Sequence, residues 1–147
     1  MIDLKRFKEK INNAGRLPLL TLEEFFENNP DESSIAPNQC GFGRPDLAEM
    51  YEAFKKLEQD NSTLWIRVSL HDDTKIEMID GQEQLTLYGD SIVVCTSLNE
   101  ESIRSRIDCD WLCADWAAEI SADELNEYYY EIPEVFDGFR CIDIGWD

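Results

Sequence analysis

The sequence contains few positively charged groups. It has 13 Lys and Arg residues and one His against 32 Asp and Glu residues, which gives a formal net charge of −19. A surface this acidic repels phosphate groups, so we expect no direct binding to nucleic acid or to anionic lipid. The acidic residues are concentrated towards the C-terminus, because residues 98–147 contain fourteen of them and only three basic residues.

Long apolar runs are also absent. No run approaches the roughly 18 residues needed to cross a bilayer, so we expect no contact with a membrane. The N-terminal segment MIDLKRFKEKINNAG lacks the apolar stretch of a signal peptide, which predicts a cytoplasmic protein. The 43% hydrophobic content is sufficient for a core. We therefore predict that residues 1–147 fold as a single domain.

The cysteine residues are scattered along the chain and odd in number, which is typical of reduced thiols rather than of a closed disulfide framework. The five residues are Cys40, Cys95, Cys109, Cys113 and Cys141. Cys109 and Cys113 lie four apart, as if on one helical turn, but a structural zinc site needs a second close pair of ligands. We therefore interpret these two as buried thiols on one face and predict no metal site and no cofactor.

A nucleophile with an activating base is likewise missing. The single His71 follows a predicted strand within the polar segment SLHDDTK, and no G-x-S-x-G motif occurs. A lone His in a polar turn is usually solvated. We predict no catalytic residue.

Apolar periodicity and capping patterns predict several short helices. A helix over residues 3–13 has one apolar face, and a second over 22–27 begins with the capping box of Thr21 and Glu24. An irregular loop at about 28–45 follows. The most strongly amphipathic helix starts with Pro45 in its first turn. Two more capping boxes, at Ser97 and at Ser121, predict helices from residues 98 and 122.

Period-two patterns predict the strands. Residues 63–70 alternate as in a half-buried strand, and Asp80-Gly81 is typical of a hairpin turn. Further strands are predicted for Ile92–Cys95 and at the C-terminus. The order of elements indicates an α+β fold in which an antiparallel sheet of about four to five strands packs against several short helices.

The segment DCDWLCADW, residues 108–116, combines carboxylates with aromatic rings, and its surroundings continue that composition. On a helix, Trp111 and Trp116 would not share one face, so at least one is expected to be exposed. Exposed rings anchor protein interfaces, and charges steer the partner. The predicted partner-binding residues are Asp108, Asp110, Trp111, Asp115, Trp116, Glu119 and Tyr129. In the alternative interpretation the rings belong to the core and the carboxylates are only solvated.

Three segments resemble small bacterial immunity proteins of secreted toxins. They are LTLEEFFENNPDESSIAPN, RPDLAEMYEAFKKLEQDNSTLWIRVSL and GDSIVVCTSLNEESIRSRI. The resemblance implies a non-catalytic cytosolic inhibitor that binds and neutralises one cognate toxin, often a nuclease with a basic cleft. The resemblance does not assign individual contact residues in this sequence.

Two other functions fit the composition. An acidic DNA mimic or regulator would bind a nucleic-acid-binding protein by imitating phosphates. A small carboxylate-dependent enzyme would need two carboxylates that converge in one pocket. Sequence alone leaves all three hypotheses open.

Overall fold

The computed structural model of the protein describes residues 1–11 and 16–147. Its helices are α1 (Leu4–Lys10), α2 (Leu22–Phe26), α3 (Leu47–Glu58), α4 (Glu100–Ile107) and α5 (Ala122–Tyr128), with one 3₁₀ turn at Glu32–Ser34. Its strands are β1 (Leu17–Pro18), β2 (Thr63–Leu70), β3 (Lys75–Ile79), β4 (Gln82–Thr86), β5 (Gly89–Thr96), β6 (Trp116–Ile120), β7 (Tyr129–Tyr130) and β8 (Arg140–Gly145). Among the described residues, no helix combines the length and apolar character that a membrane span requires.

The main sheet has the strand order β2-β5-β8-β6, and all of its pairings are antiparallel. Strands β3 and β4 form a separate hairpin, and β1 pairs with β7 in parallel. The predicted α+β class and antiparallel sheet are therefore confirmed. The hairpin turn is confirmed as well, since Asp80 and Gly81 both have the positive φ that a tight two-residue turn requires.

The first face of the sheet carries the larger core. Alternate residues of β2, β5 and β8 are fully buried on this face, and they pack with the apolar sides of α2, α3 and α4. Each large apolar side chain buried here contributes about 1.5–3 kcal/mol of transfer free energy. The strand residues are Ile66, Val68, Ile92, Val94, Ile142 and Ile144.

The second face is partly covered by α5 and by the segment that follows it, residues 131–139. Trp65, Val93, Cys95 and Cys141 are buried beneath this cover. The prediction that β2 is half-buried is therefore wrong. A strand's own alternation does not reveal that a distant segment returns over its other face.

Two helix starts agree with the predictions. The hydroxyl of Thr21 accepts from the Glu24 backbone N–H, and Glu24 returns the bond to Thr21, so the predicted capping box is complete. The hydroxyl of Ser121 caps α5 by accepting from the Glu124 backbone N–H, which is one of the two bonds of the capping box predicted there. Both are local interactions, which explains why sequence reasoning found them.

The other helix boundaries in the structure differ from the predicted ones. α4 is capped by Asn99 instead of Ser97, whose hydroxyl contacts the Ser62 carbonyl oxygen. α3 is capped by Asp46, so Pro45 precedes the helix instead of starting it. The helix predicted over 3–13 ends at Lys10, and its predicted last residues lie outside the described part of the chain. At the start of α4 both Ser97 and Asn99 could cap the helix, and the contact of Ser97 with Ser62 leaves Asn99 as the cap.

Candidate functional site

Residues 108–115 form a turn between α4 and β6, which we call the acidic turn. Asp108 ends α4 in a left-handed conformation with φ 59°, and its Oδ1 accepts from the Trp111 backbone N–H at 3.2 Å. Leu112 is fully buried, and its carbonyl accepts from the indole of Trp146 at 2.9 Å. These contacts hold the turn in one conformation, so its outward side chains have fixed positions.

The segment of residues 108–116 does not form the helical turn that was considered for Cys109 and Cys113. Trp111 lies in the turn and Trp116 is the first residue of β6. Cys109 and Cys113 are half-buried, and Cys113 has a positive φ of 56° that no helical residue adopts. The left-handed Asp108 ends the helix before this segment begins.

Four of the seven predicted residues line one cleft. They are Asp108, Asp110, Asp115 and Trp116, and Arg104 of α4 lies among them. The Arg104 guanidinium donates to the Ala117 carbonyl oxygen at 3.0 and 3.3 Å, so its donors are directed at the edge of β6. Trp111, 37% exposed, projects from the same turn.

Two of these residues also hold the fold together. Asp115 accepts from the backbone N–H of Asp147 at 2.6 Å and from the Gln39 amide at 3.2 Å. The indole of Trp116 donates to the Asp143 carboxylate at 3.1 Å. Asp108, Asp110 and Trp111 are therefore the residues of this cleft and turn that combine exposure with fewer structural contacts.

The other two predicted residues lie elsewhere. Glu119 is exposed on the edge strand β6, where its backbone N–H donates to Glu100 of α4 at 2.7 Å. Tyr129 is half-buried in β7 and lines a different cleft with His71 and Asp90. Composition grouped these residues with the acidic turn, but the chain path separates them.

A polar network on the second sheet face was missed by sequence reasoning. The hydroxyls of Ser69 and Ser91 are 2.7 Å apart, and Ser91 donates onward to Asp143. Tyr129 neighbours Ser69, and burial raises the pKa of its phenol. The available signal was the pair of serines at buried positions of otherwise apolar strands.

Asp90 lies beside this network. Loss of solvation raises the pKa of its carboxyl group, although the residue as a whole is exposed. His71 opposes the rise when its imidazole is protonated, whereas the carboxylates of Asp143 and Asp72 add to it. His71 itself is exposed at the end of β2, and its Nδ1 accepts from the Asp73 backbone N–H at 3.1 Å.

The loop of residues 36–44 packs against the acidic turn and presents Phe42, which is 84% exposed. Gln39 ties the loop to the C-terminus through the Asp147 carbonyl at 3.0 Å. The ideal Cβ position of Gly43 lies 3.4 Å from the Cys113 sulfur. This close approach of the Gly43 backbone to Cys113 places Phe42 beside the acidic turn. The signal in the sequence is an aromatic residue between Gly41 and Gly43.

Within residues 1–11 and 16–147, no group of three or more His, Cys, Asp or Glu side chains has an arrangement that would hold a metal ion. The carboxylates of the acidic turn are spread along its surface.

Comparison with known protein families gives one match. The model of the family described as "Uncharacterized protein YfbO family" matches residues 2–144. The chain belongs to this family. The match runs from the residue before the α1 cap into the last strand, so both the acidic turn and the Phe42 loop are part of the YfbO region. No curated protein and no solved structure matches the chain significantly.

Proposed function

We propose that the protein is a non-catalytic cytosolic immunity protein that binds and neutralises a cognate bacterial toxin with a basic surface. The observation that carries the proposal is the acidic turn, where Asp108, Asp110 and Trp111 are exposed on a rigidly held segment. A rigid surface loses little conformational entropy when a partner binds.

Charge supports the same partner class. The chain has a net charge of −19, and its carboxylates would steer a basic protein towards the surface and raise the association rate. Carboxylates would also occupy positions where a nuclease places the phosphates of its substrate. The resemblance of three segments to immunity proteins agrees with this proposal.

Phe42 is the apolar part of the proposed surface. Interfaces derive most of their affinity from a few large anchors surrounded by polar residues. Phe42 is 84% exposed, and its loop is tied to the Asp147 carbonyl by Gln39 and approaches Cys113 closely at Gly43. We therefore assign Phe42 the anchor position and Asp108 and Asp110 the steering positions.

The test is co-expression with a toxin encoded beside the protein, followed by a binding measurement. The double variant Asp108→Asn, Asp110→Asn removes two charges and keeps the side-chain shapes, and Asn tolerates the left-handed backbone at residue 108. We expect at least about tenfold weaker binding and loss of protection. The matched control Glu9→Gln, Glu52→Gln removes the same charge from exposed helical positions and should bind normally.

The anchor is tested separately. We expect Phe42→Ala to weaken binding by about 2 kcal/mol, whereas Phe136→Ala, which truncates a residue that is 50% exposed in the cover segment, should have little effect. Protection by the wild type with no effect of either acidic-turn or Phe42 variants would place the binding surface elsewhere. Failure of every neighbouring toxin to bind the wild type would reject the immunity function.

A further inference from the structure

Two free thiols lie opposite each other in the middle of the main sheet. Cys95 of β5 and Cys141 of β8 are direct register partners, so their side chains project from the same face. The remaining cysteines lie near the acidic turn and its neighbouring loop.

The register brings these two residues within reach of a covalent bond. Directly opposite residues of antiparallel strands have Cα atoms about 4.5–5.5 Å apart, which lies inside the range for disulfides. Their Cβ atoms are about 4.5–5.5 Å apart, against about 3.8 Å in a disulfide. Bond formation therefore draws the strands together by about 1 Å, and the resulting strain makes the bond easy to reduce.

The cover over the two thiols is not built from regular structure. Residues 131–139 contain neither helix nor strand, and they pack on the cysteines through Ile132, Val135 and Phe139. Glu134 ties this segment to the sheet by accepting from the Trp65 indole at 3.0 Å. Segments with few backbone hydrogen bonds open locally at low free energy, and such opening would admit a small oxidant.

We propose that Cys95 and Cys141 are an oxidative modification site that closes a reversible intramolecular disulfide by exchange with a small-molecule disulfide. One protein thiolate attacks the oxidant's S–S bond, forms a mixed disulfide and releases one thiolate. The second protein thiol then loses its proton, attacks the mixed disulfide and releases the other thiolate. The protein loses two electrons and two protons in total, and the oxidant is reduced to two thiols.

The order of attack follows from the surroundings. The hydrogen bond from Cys95 lowers the pKa of the Cys141 thiol, whereas that bond and burial raise the pKa of Cys95. Cys141 is also the more accessible of the two, at 3% exposure against 0%. Cys141 is therefore the attacking thiol and Cys95 resolves the mixed disulfide.

The bond would join the two central strands, β5 and β8, near the start of β8. β8 ends at Gly145, and the next residue, Trp146, holds the acidic turn by donating from its indole to the Leu112 carbonyl. The disulfide proposal does not depend on the immunity function, since it rests on the strand register and on the cover segment over the two thiols.

The test uses the full-length wild-type protein with excess glutathione disulfide, followed by alkylation of the remaining thiols and peptide mapping. We expect a Cys95–Cys141 linked peptide, a mass lower by two hydrogens, and three of the five thiols still free. Dithiothreitol should restore all five. Persistence of five free thiols, or linkage through Cys40, Cys109 or Cys113, would overturn the proposal.

Variants separate the two roles. Cys95→Ala should accumulate a glutathione adduct on Cys141, whereas Cys141→Ala should react much more slowly at Cys95. Cys109→Ala should still form the internal bond. Truncation of the cover by Phe139→Ala should accelerate the reaction about tenfold. Equal reaction rates of Cys95→Ala and Cys141→Ala would contradict the assigned order of attack. The peptide map of the oxidised wild-type protein tests the disulfide itself, whether or not the variants fold.

Discussion

The indole ring of Trp116 lies directly over the α-carbon of Gly145. A Cβ built on Gly145 would be 2.1 Å from Cζ2 of the ring, which is far inside any permitted contact. The two residues are register partners on β6 and β8, and the Trp116 indole is held there by Asp143. Only glycine therefore allows the ring to close this end of the sheet beside the acidic turn.

We predict that Gly145→Ala lowers the free energy of unfolding by about 1–3 kcal/mol, because the added methyl group forces the Trp116 ring out of its position. Chemical denaturation monitored by Trp fluorescence measures the change. In a double-mutant cycle, Trp116→Ala should remove most of the Gly145→Ala penalty. Additive effects of the two substitutions would contradict the contact.

The outer edge of β6 is blocked by side chains of α4. Arg104 donates to the Ala117 carbonyl, and Glu100 accepts from the Glu119 N–H. An edge strand with unpaired backbone groups recruits other strands. We predict that Glu100→Ala, Arg104→Ala promotes concentration-dependent self-association, measured by analytical ultracentrifugation.

The matched control is Arg106→Ala on the same helix, which removes an exposed ion pair with Asp60 and leaves the β6 edge blocked. This variant should remain in the same association state as the wild type. A monodisperse Glu100→Ala, Arg104→Ala protein at all concentrations would show that the two side chains do not protect the edge.

Glu24 should make the free energy of unfolding depend on pH in the acidic range. Burial alone would raise the pKa of its carboxyl group, but hydrogen bonds from Lys10 and from the Thr21 backbone lower it below the ordinary value. A lowered folded-state pKa stabilises the protein above the unfolded-state pKa, and that contribution is lost as pH falls through the folded-state value. We predict that Glu24→Gln costs about 1 kcal/mol at pH 7.

The cost of Glu24→Gln should shrink towards zero once the pH falls below the acidic range in which Glu24 titrates. Urea denaturation at neutral and acidic pH measures it. Gln retains the acceptor for the capping box, so the comparison isolates the charge. A penalty that is independent of pH would assign the effect to packing instead.

Asp90 should show the opposite dependence. Its pKa is raised by loss of solvation and by nearby carboxylates, so its contribution to stability is present below the unfolded-state pKa and is lost as pH rises through the folded-state value. We predict that Asp90→Asn stabilises the protein at neutral pH by a few tenths of a kcal/mol, because solvent screens this exposed residue. The gain should disappear in acid, and thermal unfolding of the two proteins across pH measures it. A loss of stability at pH 7 would refute the assignment.

The sequence by itself determined the features that depend on near neighbours. The Thr21–Glu24 capping box, the Ser121 cap and the Asp80-Gly81 turn each involve residues that are at most three apart, and the alternation of β8 needs only its own residues. The α+β class follows from the order of such elements. The clustering of carboxylates and aromatic rings in the acidic turn was also visible, because it is a property of one short segment of the sequence.

Only the tertiary structure decided where these pieces meet. Three such contacts join residues that are 29 to 76 positions apart. They are the pairing of Cys95 with Cys141, the closure of Trp116 over Gly145, and the contact of the Phe42 loop with the acidic turn. Such contacts form because the free energy gained by burying many side chains together exceeds the entropic cost of closing long loops. A local sequence pattern contains no information about that total. For the same reason Tyr129 lies in another cleft, although it is close to the acidic turn in sequence.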